Sequence, residues 1–159
     1  MATSQGGGSA EPKLIIPALE PFYGWARDVS WLVIRVTVGG VLLVHGWVKL
    51  FQQGVAAFAA AGLARRGIEP SMPLAYLITF NETIGAICLM LGLFTRVIAA
   101  IIALEFAVIT FYVSFPNGFG WTRPGGGWEY PLLWGLVIFA IALRGGGPYS
   151  LDRLIGREV

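Results

Sequence analysis

Seven polar side chains stand inside otherwise apolar stretches of this 159-residue chain: Arg35, His45, Lys49, Asn81, Glu82, Glu105 and Tyr112. Burying an Arg, Lys or Asp at the centre of a membrane helix costs roughly 2.5–3.5 kcal/mol on insertion scales. Residues of this kind are therefore the strongest functional clue the sequence offers. A positioned carboxylate can move a proton, and Arg or His can hydrogen-bond a carbonyl oxygen. Together they suit a polar pocket for a quinone head group or a proton path. The plainer alternative is that the charges only fix the register of neighbouring helices.

Other chemistry is excluded by count. Cys88 is the only cysteine and His45 the only histidine. One chain cannot form a disulfide, a CxxC redox pair, bis-histidine haem ligation or a multi-histidine metal site. Taken singly, His45 reads as a hydrogen-bonded interior histidine. Lys49 reads as snorkelling to the interface, and Cys88 as a small packing residue. The net charge of +2, with no basic run, gives no support for nucleic acid as a partner.

The elements that must position these residues follow from composition. Hydrophobic residues make up 56% of the chain and charged residues 13%, against about 25% charge in soluble domains. The expected fold is an all-α integral membrane four-helix bundle, with the lipid bilayer as its first partner. Spans of about 20 residues fall at 31–51, 73–94 and 97–115. A shorter fourth, at 128–144, has Trp128 and Arg144 as interfacial ends. At about 100° per residue, Arg35, Gly39, Leu42, Gly46 and Lys49 share one stripe, with His45 at its edge. Glu82, Gly85 and Leu89 share another, flanked by Asn81, and Glu105, Ile109 and Tyr112 a third. The three stripes are expected to meet inside the bundle. Arg35 is expected to pair with Glu82 or Glu105. The remaining carboxylate would be protonated, hydrogen-bonded to Asn81 or Tyr112, or paired with His45.

The flanks read as follows. Residues 1–12 form a Gly/Ser-rich disordered tail, not a signal peptide, since Met1 to Ala10 lacks Lys and Arg. Residues 13–28 form an interfacial segment in which Pro12, Pro17 and Pro21 oppose a long helix. Domain 29–159 carries the four spans. Between the first two, Phe51, Val55, Phe58, Ala59, Gly62 and Leu63 predict a short amphipathic helix ending near Gly67 and Pro70. Pro116 to Glu129 predicts an ordered aromatic loop at headgroup level. Pro148 follows three glycines, so the fourth helix stops near Arg144. Tyr149 and Leu151 then fold back, with Asp152 free to accept backbone hydrogen bonds. Lys and Arg favour the side of the termini by six to four. The expected location is a bacterial-type plasma (inner) membrane with both termini cytoplasmic.

Several motifs in order resemble the DoxX family of small four-helix membrane proteins. The first span carries Arg35 followed by His45, Gly46, Trp47, Val48 and Lys49. The second carries Asn81, Glu82, Thr83, Ile84 and Gly85, then Leu91 to Arg96. Next come Pro116, Asn117, Gly118 and Phe119, then Gly126 to Leu133. The tail Gly145 to Asp152 is similar to the family's closing GGGxYSLD pattern. One departure is Ser114, where relatives often carry a histidine.

The resemblance implies a membrane subunit of a quinone-linked oxidoreductase, such as a thiosulfate:quinone oxidoreductase, or of a redox-protection complex working beside superoxide dismutase and a sulfurtransferase. No covalent cofactor is implied, and a quinone is the ligand it admits, near Arg35, His45 and Glu82. A soluble redox enzyme or a second copy of the chain would be the partner. Two other classes remain open: a small-solute or proton transporter built as an oligomer, and a structural anchor that recruits soluble redox enzymes.

Overall fold

A computed structural model describes residues 12–158. The tail expected at residues 1–12 lies, except for Pro12, outside the described residues. Six helices follow in order, with no strand among the described residues: α1 (Pro17–Gln53), α2 (residues 55–66), α3 (Ser71–Leu91), α4 (Thr95–Asn117), α5 (Glu129–Arg144) and α6 (Leu151–Ile155). Helices α1, α3, α4 and α5 form an antiparallel four-helix bundle. Three of them, α1, α3 and α4, are long and apolar enough to cross a membrane. The fourth, α5, has 16 residues. At 1.5 Å rise it is about 24 Å long, which suits a thin or locally compressed bilayer.

Helix α1 overturns one expectation. It begins at Pro17 and runs unbroken for 37 residues, so the prolines do not prevent a long helix. Pro17 and Pro21 occupy its first turns. Pro17 opens a short 3-10 turn and Pro21 lies in the first turn of the α-helical part that starts at Glu20, positions where a missing N–H is tolerated and the fixed φ suits the helix. The segment 13–28 is therefore mostly helical, continuous with the first span.

Every bundle helix contributes to one core. Trp31, Val38 and Leu42 of α1 pack with Ala86 and Leu89 of α3, Ala99 and Ile102 of α4, and Ile138 and Ile141 of α5. The outer faces are apolar as well: Val44, Leu104, Leu133 and Leu136 are all more than half exposed. A water-facing bundle would show polar residues there. Here lipid is the solvent for that band.

Helices α1 and α3 approach closely because two glycines face α3. A Cβ on Gly46 would sit 2.5 Å from the carbonyl oxygen of Glu82, and one on Gly39 would sit 2.8 Å from that of Ala86. Such contact distances need a residue without a side chain. Helix α2 is the amphipathic element expected from the spacing. It lays Val55, Ala59 and Leu63 against Ala75 of α3, and Gly67, in the left-handed region at φ 71°, ends it.

Candidate functional site

The bundle sorts its charges to two depths. One cluster lies at the end that carries the C-terminal tail. The other lies near mid-depth: Glu82 is 11 residues from the start of α3, and Glu105 is 10 from the start of α4.

At the tail end, Arg35 is fully buried. Its guanidinium donates to the carbonyl oxygen of Tyr149, not to Glu82 or Glu105 as expected. Asp152 is the carboxylate whose field it feels. The reason is directional. Helical side chains lean toward the helix N-terminus, which carries Arg35 away from mid-depth. It reaches the C-terminus of α3 instead, where unpaired carbonyls favour a cation. Gly92 leaves the room: any Cβ there would overlap the guanidinium.

Asp152, as expected of a free acceptor, takes hydrogen bonds from backbone N–H groups. Phe94 N donates to it at 2.7 Å, Thr95 N at 2.9 Å and the Thr95 hydroxyl at 2.7 Å. It thereby caps the N-terminus of α4, where a carboxylate is favoured. Arg96 donates to the carbonyls of Leu143 and Arg144 and pairs with Glu158 at 3.2 Å. Trp31 Nε1 donates to Gly145 O at 2.9 Å. The folded-back tail is thus stitched to α1, α4 and α5.

At mid-depth the principal interaction is a Lys49–Glu82 ion pair, with the side chains only 14% and 7% exposed. This corrects the reading of Lys49 as a snorkelling residue. The final turns of α1, Val48–Gln53, are π-helical, as is Asn81–Gly85 of α3. Wider turns of this kind recur at functional sites. Here they lie on both sides of the pair. The Gly46 contact brings α1 close enough to α3 for the ammonium to reach the carboxylate and stay out of the interface.

Asn81 Nδ2 lies 3.4 Å from Glu105 Oε2, a long hydrogen bond, and Glu105 Oε1 is buried with no donor among the described residues, while the Glu82 carboxyl stands within hydrogen-bond reach of Glu105. The leftover carboxylate is therefore Glu105, and Asn81 is its partner, one of the alternatives weighed from the sequence. Tyr112 is not part of this group. Its hydroxyl donates to Arg66 O at 3.1 Å, tying α4 to the end of α2. His45 is exposed, and its imidazole makes no hydrogen bond among the described residues. It too departs from the expected hydrogen-bonded interior histidine.

Two hollows flank the ion pair. A cleft of about 850 Å³ is lined by His45, Lys49, Glu82, Phe106, Trp121, Tyr130 and Trp134, with Ser114 in its wall. A groove of about 560 Å³ on the other side is lined by Leu77, Asn81, Glu82, Ile101, Leu104 and Glu105. Lys49 and Glu82 border both, so the ion pair is the partition between them. The sequence singled out His45, Lys49, Glu82, Asn81 and Glu105 for this region. It did not single out Tyr130 and Trp134 as its walls, although aromatics beside the glycine-rich loop were a signal. That loop is ordered: Asn117 Nδ2 donates to Gly126 O at 2.8 Å, and Trp128 packs between Phe115 and Phe119. Ser114, the position at which the family resemblance breaks, faces the cleft.

Comparison with known proteins gives the following. Residues 30–114, more than half of the chain, match the family model DoxX. That stretch contains all seven candidate polar residues. An uncharacterized protein of Haemophilus influenzae is 28% identical over 120 residues, covering 75% of this chain and 85% of that protein. No solved structure matches the chain.

Proposed function

We propose that this chain, which belongs to the DoxX family of membrane proteins, is the membrane subunit of a quinone-linked redox complex. The observation that carries the reading is the cleft beside the Lys49–Glu82 pair. It has a volume of about 850 Å³, within the roughly 300–1,000 Å³ usual for small-molecule sites. Its walls are aromatic and aliphatic, and His45, Lys49 and Glu82 border it.

The residues fit a quinone head group. Lys49 and the unpartnered His45 offer N–H donors for a carbonyl oxygen, and Glu82 can take or give a proton beside them. Phe106, Trp121, Tyr130 and Trp134 offer flat apolar walls. A quinone, when bound, supplies a two-electron, two-proton acceptor. With one cysteine and one histidine, the chain has too few ligands for a metal or dithiol relay of its own. The electrons would come from a soluble redox partner or from a substrate that the partner binds. Arg35 is no longer assigned to this site, because its hydrogen bond and its nearest carboxylate lie in the tail. The same reading locates the complex in a bacterial inner membrane with both termini cytoplasmic.

The test is extraction of the protein from native membranes into lipid nanodiscs, followed by solvent extraction and quantification of quinone. About one quinone per chain is expected in the wild type, with loss in Lys49→Gln and His45→Ala. Quinone no richer than in protein-free nanodiscs of the same membranes would overturn the proposal.

A further inference from the structure

We infer that the groove between α2, α3 and α4 is a second binding site, selective for a hydrophobic monocation. The inference is independent of the quinone reading, since it concerns the opposite side of the Lys49–Glu82 partition.

The argument is a charge count in an apolar setting. Two carboxylates, Glu82 and Glu105, border the groove. One ammonium, Lys49, serves them, and it is committed to Glu82. Arg66 stands at the mouth, but it donates to Gly62 O at 2.6 Å and does not reach inward. From donors Glu105 has one long contact, Asn81 at 3.4 Å, and its Oε1 has none. Glu105 also lies within hydrogen-bond reach of the Glu82 carboxyl, so a proton held between the two balances the empty site. Once that proton leaves, the site carries one uncompensated negative charge. In low dielectric that charge draws a counter-ion strongly. Rotation about the terminal carboxyl torsion is soft, so the orphaned oxygen can turn into the groove.

The walls decide which counter-ion. Leu77, Ile101 and Leu104 present hydrocarbon, and each is at least 40% exposed at the lipid-facing surface. A hydrated inorganic cation would lose its water shell there without replacement ligands. An organic cation with an apolar body keeps the apolar contacts, loses little hydration, and brings one positive charge to Glu105. Entry is lateral, from the bilayer.

The test uses tetraphenylphosphonium as probe. The full chain is reconstituted in nanodiscs of zwitterionic phosphatidylcholine, and binding is measured against empty nanodiscs. Saturable binding near one per chain is expected, weakened by about tenfold or more in Glu105→Gln, as expected for losing a charged partner. Neutral triphenylphosphine oxide, of similar shape, is expected not to compete. A second variant, Leu77→Trp, fills the groove from its lipid face and touches no charge. It is expected to abolish binding while the fold persists, and it serves as the test should Glu105→Gln fail to fold. Equal binding in wild type and Glu105→Gln, undiminished binding in Leu77→Trp, or displacement by the neutral analogue would each overturn the inference.

Discussion

Removing Lys49 is predicted to destabilise the protein more than removing the carboxylate it pairs with. In the wild type the mid-depth cluster holds two carboxylates and one ammonium. Lys49→Met leaves Glu82 and Glu105 facing one another with no cation, both largely shielded from water. Breaking a buried pair costs about 3–5 kcal/mol, and the carboxylate repulsion places this variant toward the upper end. Glu82→Gln leaves Lys49 and Glu105 in the same region with balanced charge. The ammonium can swing to the second carboxylate, so a cost of about 1–3 kcal/mol is expected, comparable to a lost charged hydrogen bond. In Lys49→Met/Glu82→Gln one lone Glu105 remains, which can take a proton. The double variant should therefore be more stable than Lys49→Met alone, with a coupling energy of about 1–3 kcal/mol. The assay is melting of all four proteins in one detergent, followed by Trp fluorescence. A Lys49→Met variant no less stable than Glu82→Gln, or strictly additive losses in the double variant, would refute the charge count.

Three further outcomes are expected. Asp152→Ala removes a carboxylate that accepts three hydrogen bonds at the start of α4. It should cost about 2–4 kcal/mol, read as a lowered melting temperature, while Asp152→Asn retains part of the stability. Gly46→Val puts a side chain against the Glu82 carbonyl, where even a Cβ would lie at 2.5 Å. It should force α1 off α3 and abolish the Lys49–Glu82 coupling, so that Lys49→Met costs less in that background. Reporter fusions after Val159 should read out as cytoplasmic, and fusions within Arg65 to Glu69 as external. A cytoplasmic signal from the loop fusion would reverse the orientation.

The helices were legible in the sequence, and the partners of their charges were not. Apolar runs and the glycines at 67 and 145 marked most helix ends to within a few residues, because length and hydropathy decide those; the start of α1 at Pro17 was missed by 14 residues, because prolines in a helix's first turns were read as breakers. A helical wheel gives the face on which a residue lies. It correctly set Lys49, Glu82 and Glu105 toward the bundle interior. Depth and side-chain direction decide who meets whom, and the wheel is silent on both. Arg35 and Lys49 share a stripe, yet they are 14 residues apart, or about 21 Å along the axis. Arg35 leans toward its helix N-terminus and meets the tail. Lys49 was misjudged because its place at the end of a span suggested open interface. The π-helical continuation through Gln53 and the close Gly46 contact keep it over Glu82. Tyr112 shares the face of Glu105 but lies about two turns further along, level with the end of α2.

The two polar clusters differ in what they accomplish for the fold, and that difference separates structure from function. At the tail end, Asp152 and Arg96 satisfy helix termini. Asp152 caps the start of α4 and Arg96 takes the last carbonyls of α5, while Arg35 holds the tail through Tyr149 O and leaves its Nε and Nη1 buried and unpaired. Those backbone groups would be orphaned without them, so the cluster is explained by folding. Asn81, Glu82 and Glu105 stand in helix interiors, and Lys49, in the last turns of α1, turns to Glu82 and not to a helix end. Lys49, Glu82, Asn81 and Glu105 cap nothing, and an apolar set of similar volume would pack the same helices without a buried charge. Register alone would require one pair, such as Lys49 with Glu82. The second carboxylate goes beyond that requirement and leaves a buried oxygen unpaired. That second carboxylate is the group on which the proposal of a cation site rests. It lies beside a partition between an aromatic cleft and a lipid-facing groove, so under that proposal and the quinone reading small molecules of the membrane are the partners to test first.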